Sequence, residues 1–459
     1  MALIVSQRKS PSRSFVLLCA SLLGFAVGCG SIAIPGITPR TAAPQITTQP
    51  VSQTAIGGGI AAFSVSATGN GSLSYQWMKD GNAVSGGTSS TLTLNPVLVA
   101  DGGSYTAVVT NTLNKAIAST TSNAATLTVG GNDRTPLLGA IRWDAWTGSA
   151  NVVGAQVEKT LSPNIYHYRV PFFGVEVNAS SVTIDGTKQQ IMDQEIEYAH
   201  HAGLSYWAFL WYPPATGLDQ ARKLYYTSAK KNLMDYCLIV ESDRFNTEVS
   251  LDQIAAEFKD PSYVKVMGKR PLLYLLGYKA IKAADIDALR SKSVAAGTGN
   301  PYIVEMRFDS NYAVLDKLHL DAFSMYCTPS IKGGAPYAKL AAADVDQWNS
   351  VGIGQARKIV PHVTSGWDKR TRYDNRVTWD YSPSYKDMWV VMPTPVELSN
   401  HVKDAMDWVT GHRNIAEANT VLIYAWNEHD EGGFLCPTLS KYQGTARIDA
   451  IRKMLGLAP

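Results

Sequence analysis

A chain of 459 residues that is 45% hydrophobic has enough apolar material for two or three cored domains. Its 41 basic and 38 acidic residues leave a net charge of +3 with no basic tract, which argues against a nucleic-acid partner. Five cysteines without CxxC or Cys/His spacing argue against a disulfide framework and a zinc site.

Residues 1–28 read as a signal peptide. Arg8, Lys9 and Arg13 form a positive leader, and Phe15 to Val27 is an apolar run too short to span a bilayer comfortably. Ala26-Val27-Gly28-Cys29 resembles a bacterial lipoprotein signal, which implies that Cys29 is lipidated and becomes the mature N-terminus. Cleavage of an ordinary signal near Gly28 is the alternative. Either way the protein is expected to be exported, as an outer-membrane or cell-surface lipoprotein anchored through Cys29, or otherwise secreted. Residues 29–43, rich in Pro, Thr, Ala and Ile, read as an extended tether.

From 44 to 129 the pattern changes to short alternating strands with Gly, Asn and Ser turns. Ala61–Ala67, Leu73–Lys79, Thr91–Leu94, Ser104–Thr110 and Ala124–Val129 have the spacing of a small all-β sandwich. Gln49-Pro50, Trp77, the Lys79-Asp80-Gly81 turn and Asp101-Gly102-Gly103-Ser104-Tyr105 resemble the bacterial immunoglobulin-like family. The bridge cysteines are missing, since the position two after Tyr105 is Ala107, so packing around Trp77 is expected to hold the sheets together. Such a module is expected to be a spacer or weak adhesin without a catalytic role.

Residues 130–136 read as a polar linker, and from 137 to 459 strand-like and helix-like segments alternate. The strands are read as Leu137–Trp143, Leu204–Trp211, Tyr236–Glu241, Pro271–Leu276, Tyr302–Met306, Ala322–Tyr326, Lys358–Thr364 and Val421–Trp426. Helical patterns cover Lys188–Ala202, Leu218–Asn232, Ala283–Ala296, Leu340–Val351 and Pro395–Thr410. Eight strands with crossover helices give the count of a (β/α)8 TIM-type barrel. Cys237 and Cys327 read as small apolar residues of its strands, and one bridge among these and Cys436 stays open.

Active sites of that fold gather at the C-terminal ends of the strands. Those ends supply Asp144, Trp146, Trp211, Tyr212, Glu241, Arg307, Tyr326, Trp367, Asp368, Trp426 and Asn427 as candidate substrate-binding residues. Aromatics, carboxylates and arginines so placed describe a sugar-binding cleft better than an apolar pocket. The last strand runs into Trp426-Asn427-Glu428-His429-Asp430-Glu431-Gly432-Gly433. Glycosidic cleavage needs one carboxyl held protonated and a second kept ionised as base or nucleophile, and crowding two carboxylates splits their proton affinities. Glu428 and Glu431 are therefore the candidate catalytic pair. No GxGxxG, GxSxG, HExxH or phosphate loop appears, so neither cofactor nor metal is expected.

Gly203-Leu204-Ser205-Tyr206-Trp207-Ala208-Phe209, Gly366-Trp367-Asp368-Lys369-Arg370-Thr371-Arg372 and the Trp426-to-Gly432 stretch resemble the glycoside hydrolase family 99-like proteins, including WbsX-like ones. The last of these resembles the family pattern W-N-E-x-x-E-G. The resemblance implies a metal-independent, retaining glycosidase, endo-α-mannosidase-like. It also implies that Glu428 deprotonates the sugar's 2-hydroxyl and that Glu431 is the general acid. Leu435-Cys436-Pro437 departs from the family's L-E-P, and Arg142-Trp143-Asp144-Ala145-Trp146 departs from a Tyr-rich opening, leaving the sugar open. The expectation is a glycoside hydrolase acting on a polysaccharide or glycan. The alternative is a non-hydrolytic carbohydrate-binding or adhesion lipoprotein.

Overall fold

A computed structural model describes residues 41–459 apart from 57–59, 96, 98–100, 131–134, 150, 215, 310–313 and 459. The signal peptide, Cys29 and nearly all of the tether lie outside the described residues, as does the middle of the linker. Among the described residues no helix is long and apolar enough to cross a membrane.

The N-terminal part is an immunoglobulin-like sandwich. Its larger sheet runs Gln53–Ile56, Ala125–Gly130, Gly103–Leu113, Ser72–Lys79 and Asn82–Ala83, with Ala116–Thr121 paired to Gly103–Leu113. Two short ladders, Gln45–Thr48 with Ser66–Thr68 and Ala61–Ser64 with Thr91–Leu94, complete it. The run expected as one strand over 61–67 divides at Val65, before which it pairs with Thr91–Leu94 and after which it pairs with Gln45–Thr48. Trp77, fully buried, and Tyr105 pack on either side of Phe63 at ring separations of 6.0 and 4.8 Å. The Tyr105 hydroxyl donates to Asp101 O (2.8 Å), closing the tyrosine corner. Aromatic packing thus stands where a disulfide is missing.

Eight parallel strands form the second part: β1 Leu137–Arg142, β2 Tyr206–Leu210, β3 Asp235–Glu241, β4 Arg270–Leu276, β5 Tyr302–Arg307, β6 Ala322–Met325, β7 His362–Thr364 and β8 Thr420–Tyr424. They pair in the order β6-β5-β4-β3-β2-β1-β8-β7. The seam between β6 and β7 is closed by one parallel bridge, Phe323 to Ile359, with Phe323 N–H donating to Lys358 O and Val360 N–H to Phe323 O (2.9 Å each). The barrel is therefore nearly closed. The strand expected over 358–364 is interrupted because Pro361 has no N–H to give the ladder.

The strands are mainly apolar because both faces are covered, with most charged residues at their ends, and β2 and β8 are buried at every residue. Helices such as Gln189–His201 and Pro395–Gly411 wrap the outside, the latter started by a capping box between Thr394 and Glu397. The pattern expected as one helix over 218–232 divides into the helix Gln220–Thr227 and two short 3-10 turns. A helix, Val152–Thr160, and a hairpin, Gly174–Asn178 with Ser181–Ile184, lie between β1 and β2 and had no clear sequence period. Cys237, Cys327 and Cys436 are buried free thiols.

Candidate active site

The end of β8 builds the site. After Tyr424 the chain forms a two-residue ladder, Asn427–Glu428 against Gly433–Phe434, around the 3-10 turn His429–Glu431. Gly432 closes the turn at φ 81°, a conformation that disfavours a side chain. A Cβ on Gly433 would lie 2.2 Å from the Tyr424 ring, so the second glycine lets the returning strand cross that ring. The whole acidic stretch is buried: Glu428 is 3% exposed, Asp430 0% and Glu431 7%. Burying three carboxyls this way requires either cations or protons to neutralise them.

Both are used. Glu431 Oε1 accepts from Lys369 Nζ and is ion-paired with Arg372 Nη1, each at 2.5 Å, and Oε2 accepts from the Tyr424 hydroxyl at 2.6 Å. Arg372 Nε also donates to Asp430 Oδ2 (2.7 Å). Asp380 completes the cluster, accepting from Lys369 (2.6 Å), from Arg372 and from the Tyr385 hydroxyl. Glu428 has only one such partner, the Tyr326 hydroxyl at 2.9 Å from Oε1, while Oε2 makes no hydrogen bond within the described residues. Burial, with the charges of Glu431 and Asp430, pushes the Glu428 carboxyl well above its ordinary range, and Arg372 only partly offsets this. Burial alone would do the same to Glu431, but Arg372 and Lys369 outweigh it and hold that group below the ordinary range. Burial thus favours the proton on Glu428, and the two cations favour the ionised form of Glu431. These ionisations run opposite to the order of roles that the family resemblance implies.

Other expected site residues divide into two groups. Tyr326 touches Glu428 directly. Trp367 lies beside the pair, its ring 6.0 Å from Tyr424 and 5.1 Å from Lys369 Nζ, with an Nε1–H that has no acceptor within the described residues. Tyr212 receives a hydrogen bond from Trp143 Nε1 (3.0 Å), and its hydroxyl is pushed above the ordinary range by burial first and by Glu241 next. Glu241 and Arg307 stand at the ends of β3 and β5 and are engaged by Arg244 (2.6 Å) and Asp309 (2.8 Å). Trp211 is buried beyond β2.

Five other candidates are engaged by neighbouring residues of the protein. Trp426 has no exposed face, packs on Trp207 at 5.3 Å and donates to Glu195 Oε1 (2.9 Å), so it forms part of the core and not a sugar wall. Asn427 spends its amide on Trp143, accepting from the backbone N–H (3.0 Å) and donating to the carbonyl (2.6 Å). Trp146 donates to Asn427 O (2.7 Å) and sits edge-on to His429. Asp368 is buried between Arg169 and Arg370. Asp144 pairs with Arg142 (3.0 Å), which also grips Glu195 (2.8 Å); burial brings the Asp144 carboxyl up to about 7. Each of these carries a hydrogen-bonding or apolar role that the barrel rim needs for its own cohesion.

The residues missed by sequence reasoning are Lys369, Asp380 and Tyr424, while Arg372 was read at the end of the seventh strand without a role toward the pair. The cations stand in the Trp367-to-Arg372 segment, whose basic character was visible, but Asp380 and Tyr424 carried no signal.

Residues 223–451 match the family model described as Glycosyltransferase WbsX, and residues 43–111 match that of an Immunoglobulin domain. This chain carries a WbsX-like barrel behind an immunoglobulin-like domain. Among solved structures it is similar to the GH99 endo-alpha-mannosidase from Bacteroides thetaiotaomicron in complex with Bis-Tris propane. The TM-score is 0.45 at 15% identity, covering 70% of this chain and 96% of that one. A second structure of that enzyme gives 0.44 at 14%, covering 70% and 98%. The N-terminal Ig1-2 module of the Drosophila receptor protein tyrosine phosphatase DLAR gives 0.18 at 27%, covering 23% and 63%. No curated protein matches the chain.

Proposed function

We propose that the WbsX-like barrel is a glycoside hydrolase acting on a polysaccharide or glycan, with Glu428 and Glu431 as its catalytic pair. The observation that carries this reading is the unlike setting of two buried glutamates three residues apart: Glu431 is gripped by Lys369 and Arg372, whereas Glu428 meets only the Tyr326 hydroxyl and has an oxygen left unbonded within the described residues. Glu428 gives its proton to the glycosidic oxygen as the bond to the anomeric carbon breaks, so the leaving sugar departs as a neutral hydroxyl. Glu431, ionised between Lys369 and Arg372, takes the proton of the sugar's 2-hydroxyl, whose oxygen closes on the anomeric carbon. Water then opens that ring with the proton traffic reversed, and the configuration is retained. This route needs no metal. An α-mannan is the first substrate to try. The family description also favours glycosyl transfer, which the same pair would perform if a sugar hydroxyl took the place of water. The leader supports lipidation at Cys29 and delivery to the cell surface; labelling with palmitate should be lost in Cys29→Ala.

The test is reducing-end release from α-mannans and bacterial surface polysaccharides, with Glu431→Gln in parallel. Release by the parent and not by the variant supports a hydrolase. Product elongated on an added oligosaccharide, without new reducing ends, would support transfer, and binding without any reaction would return the adhesion reading.

A further inference from the structure

Of the eleven tryptophans, Trp379 is the one that stands out from the protein, at 42% exposure. An isolated exposed aromatic needs no explanation, but the placement of this one is unusual. The segment that carries it is pinned on both sides. Val377 is buried, and the Thr378 N–H donates to Gln156 Oε1 (2.6 Å). On the other side, Asp380 is held by Lys369, Arg372 and Tyr385, and Arg376 stacks over the Tyr381 ring at 4.0 Å. Trp379 is therefore fixed outward by its neighbours and not left on a loose loop.

It is also fixed beside the reacting groups. Its ring lies edge-on to Trp143 at 6.3 Å, and the far side of that contact is Arg372, whose guanidinium lies 5.4 Å from the Trp143 ring and grips Glu431. The residue next to Trp379 in sequence, Asp380, shares both of the cations that hold Glu431. The ring thus reaches Glu431 through Trp143 and Arg372, and the chain reaches it through Asp380 and the two cations.

We propose that Trp379 is a sugar-binding platform, on which the apolar C–H face of a pyranose ring next to the cleaved bond stacks. A pre-positioned indole loses little side-chain freedom on binding and offers a wide apolar face, and carbohydrate rings present a matching one. The inference rests on the carbohydrate reading above and adds to it the residue that holds a neighbouring sugar.

The test uses the full chain with Glu428→Gln to stop turnover, in native gels containing yeast α-mannan, laminarin, pullulan or xanthan. Retardation is expected in at least one gel. Trp379→Ala in the same background should weaken it by about tenfold, and Trp379→Tyr should retain most of it. Thermal unfolding of the variants should match the parent, because the ring is exposed. Equal retardation of the alanine variant overturns the inference while leaving the hydrolase reading, which release by the wild-type chain decides separately. Absence of retardation of the Glu428→Gln chain in every gel overturns it as well.

Discussion

Glu428 and Glu431 affect stability in opposite directions. The ordinary value for a glutamate is 4.5, and the folded Glu428 lies well above it. Below that value both folded and unfolded states carry the proton; as pH rises, the unfolded chain releases its proton first and the fold loses stability until the raised folded value is passed. Glu431 is the mirror case: its contribution is complete above the unfolded value and is lost as pH falls through the lowered folded one. Glu428→Gln should therefore abolish activity while raising the barrel's melting temperature at neutral pH. Glu431→Gln should abolish activity and cost about 3 kcal/mol, because Lys369 and Arg372 lose a buried partner. Paired thermal melts of the two variants check this. The basic limb of a pH–rate profile should report Glu428, which must keep its proton to act. Tyr326 favours the ionised form of Glu428 by donating to it, so Tyr326→Phe should move that limb upward, by up to about one pH unit.

At the scale of elements, the site depends on how the β8 hairpin is tied to β1. Asn427 makes that tie through both hydrogen bonds to Trp143, and Trp426 N–H adds another to Ile141 O (2.7 Å). Asn427→Ala leaves a buried N–H and a buried carbonyl of Trp143 without partners, which should destabilise the barrel by about 2 kcal/mol or more in chemical unfolding. Activity should fall further than that loss implies, since Glu428 follows Asn427 directly. Most strands of the barrel were legible because they are largely apolar runs between turn residues, a pattern that two covered faces demand. The site was legible as a place and not as a set of contacts. Sequence order puts Trp426, Asn427 and Glu428 side by side, yet the hairpin turns the first into the core, the second toward β1 and the third toward Tyr326. Lys369 and Arg372 meet Glu431 from about 60 residues away in sequence, a closeness that only the barrel creates.

At the scale of the molecule, the two hydrophobic cores share no residue: one gathers around Phe63, Trp77 and Tyr105, the other around the barrel strands. Each domain therefore has its own source of stability, and calorimetry of the full chain should show two transitions. Tyr105→Phe removes the bond to Asp101 O and should lower the sandwich transition alone, by about 1 kcal/mol. The sandwich was legible from its turns and its tryptophan, while strands such as Gln45–Thr48 and Ala116–Thr121 were not, since their side chains are mostly exposed and carry little alternation.

The central claim concerns where one proton sits, and it can be tested before any substrate is known. Infrared difference spectra at neutral pH separate protonated from ionised carboxyl groups. The account predicts a protonated carboxyl band in the wild-type chain that loses one carboxyl's intensity in Glu428→Gln and keeps it in Glu431→Gln, over whatever buried groups such as Asp144 contribute in all three. Loss of that intensity in Glu431→Gln, with none lost in Glu428→Gln, would contradict it and would restore the roles that the family resemblance implies.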